Sequence, residues 1–200
     1  MKYYLLIPIL AIFILAGCAK ENSIMGPQSS QKQSKNEWIK ISHSPSLSVE
    51  NTSYTASKYI DGSKGGSIEL SKVFKNDGNW ALVTAKLTIP KGAFLGAETI
   101  TYTVNTETAG IDFSPSTKGF IKNLSLDLIF TGVNISGYKA SDLAFAYLAD
   151  GTIIPAKFTY ANANIAQGLL VVLGTQISHF SRYGWSTLDG TPISDGGSTN

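Results

Sequence analysis

Few residues of this sequence have the types and spacing that chemistry requires. The chain has one Cys and two His among 200 residues, which excludes an intrachain disulfide and the Cys/His clusters that hold zinc. Two acidic turns, at residues 61–64 (DGSK) and 77–79 (DGN), carry oxygen ligands of the kind that calcium prefers. They lack the loop length and the bidentate Glu of an EF-hand. We therefore expect turns there, with no metal and no cofactor.

Other catalytic patterns lead to the same expectation. His43 lies in a polar Ser-His-Ser-Pro stretch, where we expect an exposed loop. The chain has no Gly-x-Ser-x-Gly elbow of a hydrolase, and no Gly-Lys-Ser/Thr follows Gly65-Gly66 to complete a phosphate-binding loop. Its 14 acidic residues are scattered without a repeated spacing. The residues therefore predict a protein that is not an enzyme.

The one Cys, Cys18, is the residue with the clearest chemistry. Lys2 precedes an apolar run over residues 5–15, which is too short to span a bilayer as a helix and matches the core of a signal peptide. The run ends in Leu-Ala-Gly-Cys at residues 15–18, which resembles the lipobox of bacterial lipoproteins. The resemblance implies a signal peptide over 1–17 and a lipid-modified Cys18 that anchors the chain to a membrane. The alternative is an ordinary secretory signal with an incidental Cys.

The segments around the anchor complete the domain organisation. Residues 19–36 are polar and rich in Gln, Ser and Lys, so we expect the segment 18–36 to be the lipid-modified Cys with a flexible tether. We expect one domain over 37–190 and a disordered tail over 191–200. Ala19, rather than an Asp, follows the Cys, which favours the outer over the inner membrane of a bacterial cell envelope. The formal net charge of +2 is too small for a nucleic-acid partner.

The domain reads as strands and turns. Residues 80–89 and 120–130 alternate apolar and polar side chains, which is typical of half-buried strands. Asp-Gly pairs at 77–78 and 150–151 predict hairpins. The predicted core rows are Ala81, Val83, Ala85, Leu87 and Ile89, and Leu124, Leu126, Leu128 and Phe130. We expect an all-β fold, an antiparallel β-sandwich of about eight or nine strands.

The remaining segments are assigned in the same way. Residues 98–104 and 143–149 read as strands, and 152–160 as an edge strand because it contains Pro155. The apolar run 169–173 predicts a strand buried on both faces. We further expect a closing strand over 177–185, an extra first strand over 38–41, and a loop over 42–64 in which only Val49 and Tyr54 are held against the domain.

Four short motifs resemble a known module in their order and spacing. They are Gly65-Gly66 before a strand, IPKGAF at 89–94, FSPSTKGF at 113–120, and HFSRY at 179–183. Together they resemble the ZU module of ankyrins, netrin receptors and a zonula-occludens protein, over residues 65–185. The resemblance implies a ZU-like β-sandwich that serves as an interaction or spacer module without a cofactor.

The resemblance also implies one reaction to consider. In some relatives a His-Phe-Ser at this place is an autoproteolysis site, so Ser181 would attack the carbonyl of Phe180 while His179 moves protons. Alternatively, His179, Ser181 and Tyr183 share one strand face and Phe180 fills the core. We expect the chain to stay intact.

Taken together, these observations predict an envelope lipoprotein with a non-enzymatic interaction or structural β-sandwich, with an envelope protein or a glycan as possible partner. A glycan- or matrix-binding module is the alternative, because Trp38, Trp80 and Trp185 fall at predicted strand ends and could form a sugar platform. A self-cleaving module is the third class. Coplanar exposed rings on a sheet face would favour the glycan alternative.

Overall fold

A computed structural model describes residues 36–41, 52–115 and 119–187 of the chain. Twelve β-strands and one 3₁₀ turn, Ala140–Asp142, account for the regular structure of these residues. The strands are β1 Glu37–Trp38, β2 Ser53–Asp61, β3 Gly66–Asn76, β4 Asn79–Ile89, β5 Ala97–Asn105, β6 Gly110–Ser114, β7 Leu124–Thr131, β8 Leu143–Ala149, β9 Thr152–Pro155, β10 Tyr160–Asn164, β11 Leu169–Ile177 and β12 Arg182–Thr187.

Two antiparallel sheets form the sandwich. One follows the order β2-β5-β6-β12-β8-β9, with β1 paired to β12, and the other follows β10-β11-β7-β4-β3. Their inner faces bury one continuous apolar cluster to which both sheets contribute. The prediction of an all-β antiparallel sandwich is therefore confirmed, and the strands are more numerous than expected because several are only two to five residues long.

The core follows the predicted alternation. Every residue of both predicted core rows is buried, with Leu87, Leu126, Leu128 and Phe130 fully so. Leu87 of β4 pairs with Leu126 of β7 in the centre of the five-stranded sheet. Lys86 points to the opposite, outer face and forms an ion pair with Glu69 on β3. The register inferred from period two is therefore correct for β4 and β7.

Both predicted hairpins form at the Asp-Gly pairs. Asp77 and Gly78 have φ angles of 51° and 78° between β3 and β4, and Asp150 and Gly151 have 47° and 79° between β8 and β9. Two consecutive residues with positive φ give the turn whose twist matches that of the flanking strands. Gly accepts this conformation without a steric cost, and Asp is among the few other residues that tolerate it.

One buried tyrosine connects the two sheets by hydrogen bonds. Tyr102 of β5 is fully buried, and its hydroxyl donates to the carbonyl oxygens of Ala85 at 3.1 Å and Ile68 at 3.4 Å in the opposite sheet. Burial raises the pKa of the Tyr102 phenol, because a low-polarity environment disfavours the charged phenolate.

The expected loop over 42–64 is wrong for its second half. Residues 53–61 form β2, an edge strand of the larger sheet that pairs with β5 along its whole length. Its exposed Ser and Thr side chains face Thr side chains on β5. The Thr55 hydroxyl is hydrogen-bonded to that of Thr103, and the Ser57 hydroxyl to that of Thr101. A polar, Ser-rich sequence can be a strand here because its backbone partner is supplied by β5. Tyr54 packs against the core as expected, and Val49 lies outside the described residues.

Three other strand predictions need correction. The predicted strand 152–160 is divided between the two sheets: β9 ends at Pro155 and lies at a sheet edge as expected, and residue 160 begins β10 of the other sheet. In β11 only one face is buried, since Val171 and Leu173 are partly exposed on the outer face. The predicted strand 177–185 is divided between β11 and β12, and residues 178–181 form no strand.

Candidate functional site

Two residues with predicted roles, Cys18 and His43, lie outside the described residues, together with the predicted signal peptide and nearly all of the tether. His179, Phe180 and Ser181 lie in the non-strand link between β11 and β12. The Ser181 hydroxyl donates to the carbonyl oxygen of Leu148. The Nδ1 atom of His179 is hydrogen-bonded to the Ser178 hydroxyl at 3.1 Å.

The structure therefore does not bring the His179 ring and the Ser181 hydroxyl into a hydrogen bond. Phe180 is buried and stacks on Phe113 with ring centroids 5.1 Å apart. This agrees with the core-filling alternative for Phe180. The shared strand face for His179, Ser181 and Tyr183 is wrong because the segment is not a strand; instead the Tyr183 hydroxyl donates to the His179 carbonyl oxygen.

The two acidic turns use their carboxylates within the protein. Asp61 accepts hydrogen bonds from the Ser63 backbone N–H and hydroxyl and pairs with Lys64 at 3.4 Å. These bonds, led by that from the Ser63 hydroxyl, hold the pKa of Asp61 below its ordinary value. Asp77 accepts from Asn134 at 2.8 Å. Within the described residues, no group of three or more His, Cys, Asp or Glu side chains could hold a metal ion.

The three tryptophans are separated and form no common platform. Trp185 is fully buried in the core, edge-on to Phe145. Trp80 is 68% exposed and carries the Lys75 ammonium 3.8 Å from its ring centroid. Trp38 lies at the end of β1 and borders a groove. The expectation that all three fall at strand ends is wrong for Trp185.

The groove is built on the outer face of the larger sheet, where β12 meets β1 and β6. Alternation along β12 places Arg182, Gly184 and Ser186 on this face and sends Tyr183 and Trp185 into the core. Trp38 is the cross-strand partner of Ser186, and Gly110 is that of Gly184.

The two glycines form a flat floor for this part of the groove. A Cβ on Gly184 would lie 2.9 Å from the Cα of Gly110 and 3.4 Å from the Trp38 ring. Any side chain at Gly184 would therefore collide with the opposite strand. Glycine inside a strand typically marks such a close approach, and here it lets the Trp38 ring lie close to the sheet.

Arg182 is held between an aromatic ring and a hydroxyl. Its guanidinium carbon lies 5.2 Å from the Trp38 ring centroid, within the range of a cation–π contact. Its Nη2 donates to the Thr108 hydroxyl at 2.6 Å. Its Nε is buried and has no hydrogen-bond partner in the described part of the chain. The guanidinium plane is thereby fixed before any ligand arrives.

The charge of Arg182 is not neutralised within the described residues. The two ion pairs found there join Lys64 to Asp61 and Lys86 to Glu69. Asp112 is the cross-strand partner of Arg182, yet it is not within ion-pair distance. A half-buried guanidinium without a carboxylate loses hydration and gains little in return. The site is therefore suited to receive an anion.

The groove has a volume of about 750 Å³ and is open to solvent. Its wall mixes apolar and hydrogen-bonding groups and includes one acidic side chain, Glu37, beside the two cationic ones of Lys40 and Arg182. The lining residues are Asn36, Glu37, Trp38, Lys40, Thr108, Leu148, Gly151, Thr152, Ile153 and Arg182. The volume lies within the range of small-ligand sites.

Sequence reasoning missed this site. The sequence assigns Trp38 to a first strand and a sugar platform, and it assigns no role to Arg182. Two signals pointed to it. Arg182 is the single arginine among the 16 Lys and Arg residues, and Gly184 lies inside β12 while Gly110 begins β6. Neither signal shows that the two residues meet, because Trp38 and Arg182 are far apart in the chain.

The fold and the site define a class: an antiparallel β-sandwich with an aromatic- and arginine-lined groove on one outer face. Comparison with protein-family models, with curated proteins and with solved structures finds no match to this chain. Among the residues that the structure describes, there is no helix of sufficient length and hydrophobicity to cross a bilayer.

Proposed function

We propose that this chain is a lipid-anchored protein of the bacterial envelope whose β-sandwich binds a ligand without transforming it. The site of binding is the groove beside Trp38 and Arg182. The observation that supports this most directly is the fixed, unneutralised guanidinium of Arg182 at the groove wall. It offers recognition chemistry, a planar set of donors beside an aromatic ring, rather than a nucleophile with its base.

The location is proposed from the sequence. The lipobox-like Leu-Ala-Gly-Cys at residues 15–18 supports an anchor at Cys18, and Ala19 supports the outer membrane. The polar residues between Cys18 and the first strand support a tether that lets the domain move at some distance from the lipid. A ZU-like interaction module, with an envelope protein or glycan as partner, is compatible with this architecture and remains part of the proposal.

A variant that fills the groove tests the binding role. Thr152 is exposed at the groove wall, so Thr152→Trp would place a large ring in the space a ligand needs. Thr88 is an exposed threonine of β4 on the other sheet, and Thr88→Trp is the matched control. The full chain in detergent would be applied to arrays of glycans and peptides. We expect a ligand that Thr152→Trp loses and Thr88→Trp retains. Equal binding by both variants would show that the groove is not the site.

A further inference from the structure

We propose that the groove binds an acidic saccharide, with the carboxylate of a uronic acid unit held by the guanidinium of Arg182. This inference rests on the proposed function and names the ligand class of the same site. It is carried by the charge state of the groove, the fixed orientation of Arg182 and the mixed character of the wall.

The excess of positive charge in the groove lining favours an anionic ligand. A guanidinium has five N–H donors and no acceptor, and Arg182 uses one of its nitrogens on the Thr108 hydroxyl. Lys40 adds a second cation to the lining, against one carboxylate, that of Glu37. A carboxylate accepts two parallel N–H bonds from one guanidinium, which is stronger and more directional than a neutral hydrogen bond.

The orientation of Arg182 favours a planar anion approaching from the groove. The Trp38 ring borders the guanidinium at 5.2 Å, and Nη2 donates to the Thr108 hydroxyl at 2.6 Å. These contacts leave the side chain little rotational freedom to lose on binding. A lysine would supply the charge but not the planar pair of donors.

The wall beyond Arg182 suits a sugar. Leu148 and Ile153 supply apolar surface for C–H groups, and the hydroxyls of Thr108 and Thr152 supply partners for sugar hydroxyls. Because the groove is open and holds about 750 Å³, a chain of several sugar units can enter it without a buried terminus.

A peptide added as a further strand fits less well. The groove passes β9, which is a sheet edge, but the carbonyl oxygen of Ile153 already accepts a hydrogen bond from Asn36 at 3.1 Å. Pro155 has no N–H to offer. Strand addition depends on such free backbone groups, so this edge supports it poorly.

The first test changes only the ligand. Full chain in detergent is titrated calorimetrically with a linear trimer of galacturonic acid and with its fully methyl-esterified form, which keeps the sugar rings and removes the charge. We expect the acid to bind. We expect the affinity of the ester to be lower by a factor of about ten or more. Binding of the acid is expected to weaken as salt is raised. Equal affinities for acid and ester, or no binding of the acid, would overturn the inference.

The second test changes the protein. Arg182→Met keeps an unbranched, shorter side chain and removes the guanidinium, and Lys72→Met removes an exposed cation of β3 as the control. We expect Arg182→Met and Arg182→Lys to lose binding of the acid. We expect Lys72→Met to retain it. If Arg182→Met melts at a lower temperature, its loss of binding could come from lost stability. The comparison of acid and ester then still tests whether the groove recognises a carboxylate, because it leaves the protein unchanged.

The two proposals fail differently. Suppose that a peptide or a neutral glycan binds and that Thr152→Trp abolishes this binding. That result would contradict the proposal of an acidic saccharide and would support the groove as the binding site. Acid binding that persists in Thr152→Trp would contradict the groove itself.

Discussion

At the scale of single residues, the proposed anchor depends on one thiol. A Cys18→Ser variant cannot carry a thioether-linked lipid, so we expect it to move from the membrane fraction to the soluble fraction. Fractionation of cells followed by immunoblotting measures this. A Cys18→Ser protein that still pellets with membranes after a high-salt wash would contradict the lipid anchor.

Ser181 gives a second prediction at this scale. Its hydroxyl donates to Leu148, and the His179 ring is bonded to Ser178, so the nucleophile and its proposed base are directed to different partners. Removal of residues 1–17 leaves 200 − 17 = 183 residues, and we expect this mature chain to remain intact. Mass spectrometry after full denaturation decides the question. A 20-residue fragment that begins at Ser181, and that is absent in Ser181→Ala, would identify a self-processing protein.

At the scale of elements, β4 and β7 predict which substitutions matter. Leu87 and Leu126 are fully buried cross-strand partners, so Leu87→Ala or Leu126→Ala is expected to lower the free energy of unfolding by about 2–5 kcal/mol. Lys86 lies on the outer face of β4, and its pKa is raised by its bond to Glu69. Lys86→Ala is expected to change stability by less than about 0.5 kcal/mol.

Urea denaturation followed by tryptophan fluorescence measures these differences. Equal losses in Lys86→Ala and Leu87→Ala would mean that the register of β4 is wrong or that the outer face of the five-stranded sheet is also covered. The comparison therefore tests both the register of β4 and the exposure of that face.

The connection between the sheets gives a prediction on pH. Burial raises the pKa of Tyr102 in the folded state above the ordinary value of about 10. The folded state therefore holds the phenolic proton more tightly than the unfolded state does. The resulting stability is fully present below about pH 10 and is lost as pH rises toward the folded-state pKa.

Tyr102→Phe separates this contribution from others. It removes the bonds to Ala85 and Ile68, so we expect it to be less stable than the wild type by about 1 kcal/mol at neutral pH. We also expect its stability to fall less steeply above pH 10. Tyr183, whose pKa burial also raises, is present in both proteins, so its contribution cancels in the comparison. Parallel declines in the two proteins would contradict the role of Tyr102.

At the scale of the whole molecule, the sequence predicted what local pattern controls. The hairpins at Asp77-Gly78 and Asp150-Gly151 and the core face of β4 follow from turn chemistry and period two, which act within a few residues. β2 was missed because its polar sequence becomes a strand only through pairing with β5. The predicted closing strand 177–185 is interrupted where Phe180 packs against Phe113 and Phe120.

The groove could not be predicted for the same reason. Trp38 and Arg182 meet because β1 pairs with β12, and strand order is not encoded in local alternation. The pair of glycines that lets them approach, Gly110 and Gly184, is likewise defined only by register. The proposed function thus depends on long-range strand pairing, which a single sequence does not display.

The central claim, that the groove beside Trp38 and Arg182 binds an acidic saccharide, can be tested most directly by NMR. The chain has three tryptophans, and their indole N–H signals report separately on the groove, the exposed start of β4 in the other sheet and the core. Each signal is assigned by replacing one Trp at a time with Phe. On titration of the full chain with the galacturonic acid trimer, we predict a saturable shift of the Trp38 signal, with Trp80 and Trp185 nearly unchanged. A shift of Trp80 without Trp38, or three unmoved signals at saturating trimer, would contradict the account.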